Sequence, residues 1–302
     1  MVRKGGYTLY GIWREDKLFN LSITIVLSFV ALIVLYPLFF IIIASISNPQ
    51  SVVTGEVLLM PKGVHFAGYE KILKNTELQR GFINTVFYTV TGTAINLVLT
   101  ICAAYPLSRK DFKGRQTITA FLLFTMFFSG GMIPTYLLIR DLGMINTIWA
   151  MLLPNAVSVV NVIIMRTYFQ TTIPAEVQEA ASIDGCSNLK LLWRVVLPLS
   201  MPIVAVMILF YSVAHWNAYF NAMLYLNNRT MYPLQLLLRE ILVQNDLQDM
   251  VSLGDDSLMK QLLNAESVKY AAVIAANLPV LLLYPFLQKY FVKGIFIGAI
   301  KG

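Results

Sequence analysis

TTIPAEVQEAASIDGCSNLKLLWRVVLPLSMP, Thr171 to Pro202, is the stretch whose reading decides the fold. It carries Glu176, Glu179, Asp184, Lys190 and Arg194, yet long apolar runs stand on both sides of it. Pro174 suits the first turn of a helix, where its missing N–H is not needed. Glu176 and Glu179 then fall in the opening turns, where the helix dipole favours negative charge. Ala180 and Ala181 leave a small-residue surface, and Gly185 permits the positive φ that stops a helix and redirects the chain. Beyond it Leu189, Leu192, Val195 and Val196 recur at helical spacing, as in a helix lying against other helices. Pro198 and Pro202 end that second helix. The stretch reads as a polar two-helix connector between membrane spans.

The rest of the chain supplies the spans. Its residues are 57% hydrophobic and 13% charged, against roughly 25% charged in a soluble globular domain. Six runs approach the roughly 20 residues that cross a ~30 Å hydrocarbon core: about 19–46, 81–107, 117–139, 145–166, 200–225 and 270–292. The expected fold is an all-α polytopic membrane protein of six transmembrane helices in a single domain, 1–302. It has an N-terminal segment 1–18, the polar loop 171–199 and a tail 293–302. The first run far exceeds a signal-peptide core of roughly 7–15 residues, so it is read as a span. Pro37, Pro279 and Pro285 lie inside spans, where neighbouring helices tolerate them. The second run holds Asn84, Thr85, Thr89, Thr91, Gly92, Thr93 and Asn96, small and hydroxyl residues that suit helix–helix packing rather than lipid contact.

The formal charge is +7, and its distribution sets the orientation. With the N-terminus in the cytoplasm, most of the 23 Lys and Arg residues fall on the inner side, the compact RKDFKGR loop (Arg109–Arg115) foremost. The positive charge is thereby a topological signature, and nucleic acid is not an expected partner. Both termini and the loop 171–199 are expected in the cytoplasm, with 48–80 and 226–269 outside. Cys102 and Cys186 form no CxxC and no Cys/His cluster, so neither a disulfide framework nor a metal site is expected. His65 and His215 have no triad-like surroundings, and no HExxH occurs, so no catalytic residue is expected. No GxxxxGK[ST] phosphate loop occurs either. If ATP is used, a separate subunit must bind it.

Glu179-Ala180-Ala181, three residues, Gly185, nine residues, then Val195-Val196-Leu197-Pro198 resembles the EAA loop of ABC importer permeases, with Val195 where the pattern has isoleucine. The resemblance implies the type I ABC importer permease fold, whose short helix docks in a groove of a cytoplasmic ATPase. Carried over by position, Glu179 is the polar contact, Ala180 and Ala181 the close-packing surface, and Asp184 and Gly185 the turn that acts as a hinge. The tail KYFVKGIFIGAIKG, Lys289–Gly302, resembles that of MalG-type sugar permeases and implies that Gly294, Gly298 and Lys301 reach the ATPase dimer. Phe127–Pro154 and Asn227–Leu242 are similar to the LplC/YtcP type, which implies import of oligosaccharides from complex polysaccharides in a Gram-positive plasma membrane. The implied partners are a second homologous permease, an ATPase dimer carrying ATP and Mg, an extracytoplasmic sugar-binding protein and membrane lipid. No cofactor is expected on this chain.

Sugar paths pair aromatic faces with hydrogen-bonding groups, and polar groups at membrane depth face cavities. The fifth run supplies Tyr211, His215 and Tyr219 at i, i+4 and i+8, with Trp216, Asn217 and Asn221 beside them. The Trp-Asn pair is also typical of MalG-like permeases. Ser129, Gly130, Gly131, Asn155 and Asn161 are further candidates. Two rival functions are an ABC permease for another solute class and an ion-driven secondary transporter. The second sits poorly with the absence of a clear internal repeat and of an acid in any span.

Overall fold

A computed structural model describes residues 9–251, 266–282 and 285, and every secondary-structure element among them is helical. The chain divides into two units, Met1–Lys71 with Gln248–Ile274, and Ile72–Leu247 with Ala275–Gly302.

In the first unit, α1 (Leu9–Ser45) carries a stretch, Phe19–Ser45, long and apolar enough to cross a membrane. From Phe19 to Phe39 its Ile, Leu, Val and Phe side chains are exposed on every face, which suits hydrocarbon as solvent. Ser45 shares a 2.8 Å hydrogen bond with the Tyr69 hydroxyl on α3 (Ala67–Lys74). Between them lies α2 (Pro49–Val53), capped by the Asn48 side chain. Gly68 sits against the helix 266–282, where an added Cβ would strike the Ser267 backbone.

The second unit is built on α4 (Thr76–Ser108), started by the Asn75 side chain, which accepts from the Glu77 and Leu78 N–H groups. Three long-range neighbours follow in chain order. The first is α5 (Arg115–Phe127) with α6 (Met132–Asp141); the second is the short α7 (Trp149–Leu152) with α8 (Val159–Thr172). After the polar connector come α12 (Met201–Trp216), α13 (Phe220–Tyr225) and α14 (Leu234–Val251). The buried face of α4 includes Thr85, Gly92, Thr93, Asn96 and Thr100, the packing face expected from the sequence, and α12 and α8 lie on α4 most extensively. Val162, Met165 and Phe169 of α8 and Met207 of α12 are fully buried in one core with Ala104 and Tyr105.

Three expected spans turn out to be broken. The run 117–139 is α5 and α6, meeting at 112°. Gly131 at the bend has φ 87° and ψ 177°, a conformation reserved for glycine, and among the described residues none accepts a hydrogen bond from the N–H groups of Ser129, Gly130 or Gly131. The run 145–166 is interrupted over 153–158 between α7 and α8, and the run 200–225 turns at 217–219 between α12 and α13. Apolar composition is satisfied by either a straight or a bent helix, so hydropathy alone did not separate them. Among the described residues two helices are long and apolar enough to span, or four if each sharply bent pair counts as one. The last run, 270–292, begins within the helix 266–282; most of its remainder and the tail residues Gly294, Gly298 and Lys301 lie outside the described residues.

Candidate coupling and translocation sites

The polar connector folds as its residues suggest. α9 (Ala175–Ile183) follows Pro174 directly. It stops in a Schellman turn: the Cys186 N–H reaches back to the Ala181 carbonyl at 2.9 Å while Gly185 adopts φ 66°. α10 (Asn188–Leu191) restarts under a Ser187 cap and passes through a widened turn, Leu192–Val196, into α11 (Leu197–Leu199). The widening has a local cause. Pro198 has no N–H to offer the Arg194 carbonyl, and the preceding Leu197 N–H bonds Leu192 O, five residues back. Pro202 then opens α12, at 84° to the segment before it.

The two alanines of the motif have different duties. Ala180 is exposed, as are Glu176 and Glu179, whereas Ala181, like Cys186 and Val195, packs on the core cluster that includes Leu191, Leu192, Val196 and Leu197. α9 therefore presents acid and one small residue outward while its other side is bonded into the core that holds α4, α8 and α12.

Beside α9 opens a cleft of about 1000 Å³, with Arg109, Lys110 and Arg115 on one wall and Glu176, Glu179 and Ile183 on the other. Its basic wall is pinned from α8. The Arg166 Nε donates to the Leu107 carbonyl at 3.0 Å, and Gln170 Nε2 reaches the Ser108 carbonyl at 3.4 Å. The Arg109 guanidinium forks onto Asp111, both contacts at 2.8 Å, and holds that carboxyl below the usual carboxylate range. Arg166→Ala removes one of these ties. The expected result is a loss of about 1–2 kcal/mol, read as faster tryptic cleavage after Arg109 and Lys110 in the detergent-purified protein.

Away from the connector, α12 meets α4 through three side-chain pairs. The Thr100 and Tyr211 hydroxyls share a 2.6 Å hydrogen bond, Asn96 Nδ2 lies 3.2 Å from His215 Nε2, and Thr93 and Ser212 are 3.3 Å apart. The His215 ring rests on Gly92, where a Cβ would overlap it. Trp216 Nε1 donates to the Ala276 carbonyl at 2.8 Å, and its ring meets Phe82 edge-on.

No protein-family model matches the chain. It is 40% identical over 290 residues to the Bacillus subtilis polygalacturonan/rhamnogalacturonan transport system permease protein YtcP, covering 95% of this chain and all of that one. It is 37% identical to Protein LplC of the same organism, over 96% of this chain and 97% of that one. The chain belongs to the carbohydrate ABC importer permeases. A solved bacterial ABC transporter involved in the import of the acidic polysaccharide alginate contains a chain of the same fold, with TM-score 0.82 and 34% identity over 95% of this chain and 100% of that one.

Within this permease the sequence-derived candidates separate into distinct groups. Glu179, Ala180, Asp184 and Gly185 are exposed together on the connector, and Ala181 backs them. Tyr211, His215 and Trp216, read from the sequence as path residues, are buried between helices and spend their polar atoms on α4 and Ala276. Asn217 and Tyr219 are exposed and Asn221 is half-buried. Asn161 is buried, the Asn155 carbonyl faces Asn96 at 3.4 Å, and Ser129 to Gly131 form the exposed α5–α6 bend. Sequence reasoning missed the Arg109–Asp111 fork and the Arg166 and Gln170 ties, whose partners are remote in the chain. It also missed Arg239, whose guanidinium lies 5.1 Å above the Tyr219 ring.

Proposed function

We propose that this permease forms one half of the path of an ATP-driven importer of oligosaccharides derived from a complex polysaccharide. Both termini and the connector 171–199 lie in the cytoplasm of a bacterial plasma membrane, of the Gram-positive kind given the Bacillus relatives. A second homologous permease completes the path, an extracytoplasmic binding protein delivers the sugar, and an ATPase dimer carrying ATP and Mg drives the cycle. The observation that supports this most is the two-sidedness of α9, whose outer face offers Glu179 and Ala180 to a partner while Ala181 is fixed to the core. A push on α9 is delivered through the segment Asn188–Leu199 to α12, and from α12 through its hydrogen bonds to α4. Of the fifth-run path residues, Asn217 and Tyr219 are open to a passing sugar and Asn221 partly so, while Tyr211, His215 and Trp216 hold the helices that carry them.

Uptake of a labelled oligosaccharide into proteoliposomes holding the four-component importer tests the reading. It should require internal or external ATP on the ATPase side and ignore an imposed ion gradient. Uptake that follows a proton or sodium gradient without ATP would overturn it. Removal of Lys293–Gly302, the proposed ATPase-contacting tail with Gly294, Gly298 and Lys301, should reduce ATPase retention on the purified complex severalfold, measured by native mass spectrometry.

A further inference from the structure

Arg239 on α14 differs from Arg229 in what it engages. Arg229, ten residues earlier, is taken up twice, by Glu77 at 2.6 Å and by Glu240 at 2.9 Å. Those pairs use the carboxylates at hand, and among the described residues Arg239 has no acidic partner. Its guanidinium instead lies over the Tyr219 ring at 5.1 Å and donates to the Met223 sulfur. Tyr219 is 38% exposed, and Asn217, two residues earlier, is exposed with its amide oxygen 3.5 Å from Gln235 Nε2. One turn of α14 separates Gln235 from Arg239, so both project from the same side of that helix. An aromatic face, two amides and an uncommitted guanidinium are thus gathered where α12 ends and α14 begins.

We propose that this cluster is a subsite for the carboxylate of an acidic sugar, with Arg239 as the carboxylate ligand. A guanidinium offers a planar fork that matches a carboxylate in two parallel hydrogen bonds. Stacking on Tyr219 fixes the plane of that fork and lowers the entropy lost when the cargo arrives. The ring and the amides of Asn217 and Gln235 meet the apolar face and the hydroxyls of a pyranose. A neutral sugar would leave the fork unpaired, so the subsite discriminates by charge and not by size alone. The inference rests on the importer reading above and narrows its cargo to uronate-containing oligosaccharides. In keeping with it, the alginate importer is named for an acidic polysaccharide and YtcP for galacturonan polymers.

The test uses the complete reconstituted importer and two probes of equal length, trigalacturonate and its fully methyl-esterified form, which lacks the charge. Wild-type importer should favour the acid. In Arg239→Gln the acid-to-ester uptake ratio should fall about tenfold or more, the loss of one charge-assisted pair, and Arg239→Lys should recover part of it. An equal fall for both probes would make Arg239 a support for Tyr219 and α14 only, and would overturn the subsite while leaving the importer reading intact. An unchanged ratio would overturn it likewise. Import of neutral oligosaccharides with neither probe accepted by the wild type would remove the acidic cargo but not ATP-driven sugar import.

Discussion

Gly185→Val and Glu179→Lys are each expected to abolish ATP-driven uptake in a permease that still inserts and pairs normally. At Gly185 the cause is confined to the backbone, because no atom lies within 4 Å of where its Cβ would be. A left-handed residue with a side chain costs about 1–2 kcal/mol, and a β-branched one fits that region worst of all. The Schellman turn that aims α9 would therefore reopen, and its outward face would point elsewhere. Glu179→Lys leaves the turn alone and reverses the sign of an exposed side chain at the proposed ATPase contact. Two observables separate the variants: Glu179→Lys should lower ATPase retention at least tenfold, a rim-to-core charge reversal of a few kcal/mol. Gly185→Val should retain more ATPase yet hydrolyse ATP without transport. Full uptake by either protein would remove the connector from the coupling mechanism.

Gly92→Leu should produce a large loss of stability. Even the first added carbon meets the His215 ring, and α4 and α12 are both held by the surrounding core. Overpacking of this kind costs about 1–3 kcal/mol. Displacing the ring also removes one of the two partners of Asn96, the other being the Asn155 carbonyl, at a further ~0.6–2 kcal/mol. The purified importer should lose its folded permease pair at a markedly lower temperature, seen as early aggregation in a thermal ramp with size-exclusion readout. Because the cause is a collision, a second change can relieve it: Gly92→Leu with His215→Ala should be more stable than Gly92→Leu alone, a coupling visible in a double-mutant cycle. Additive losses would mean that the ring and the glycine do not share the space.

The local fold of the polar connector was readable from sequence because its determinants are local. Pro174, Gly185 and Pro202 each act on the backbone within one turn of themselves, whereas Pro198, expected to help end the second helix, lies inside the segment Asn188–Leu199 and only widens the turn before it. The first two spans were equally plain, since α1 and α4 are long uninterrupted helices. The bends were harder. Ser129-Gly130-Gly131 lies inside an apolar run whose hydropathy is indifferent to backbone direction, so the glycine pair was read as path lining rather than as a break. For Tyr211 and His215 the sequence showed polar atoms on one helical face but not what stood opposite. Their partners, Thr100 and Asn96, lie more than a hundred residues away in the chain. Arg239 carried no sequence signal at all, because what sets it apart, a place over the Tyr219 ring with no acidic partner among the described residues, depends on contacts from another helix.

The bend between α5 and α6 has a bearing on how the subunit is made. The 13 residues of α5 rise only ~20 Å, so a chain entering at Arg115 reaches Ser129 before it has cleared ~30 Å of hydrocarbon. Lipid offers nothing to the idle N–H groups of Ser129, Gly130 and Gly131; at that depth such groups are stable only against another protein surface or in a water-filled passage. The bend therefore marks a place in this permease that lipid does not suit, and the second subunit of the proposed importer is one surface that would meet it.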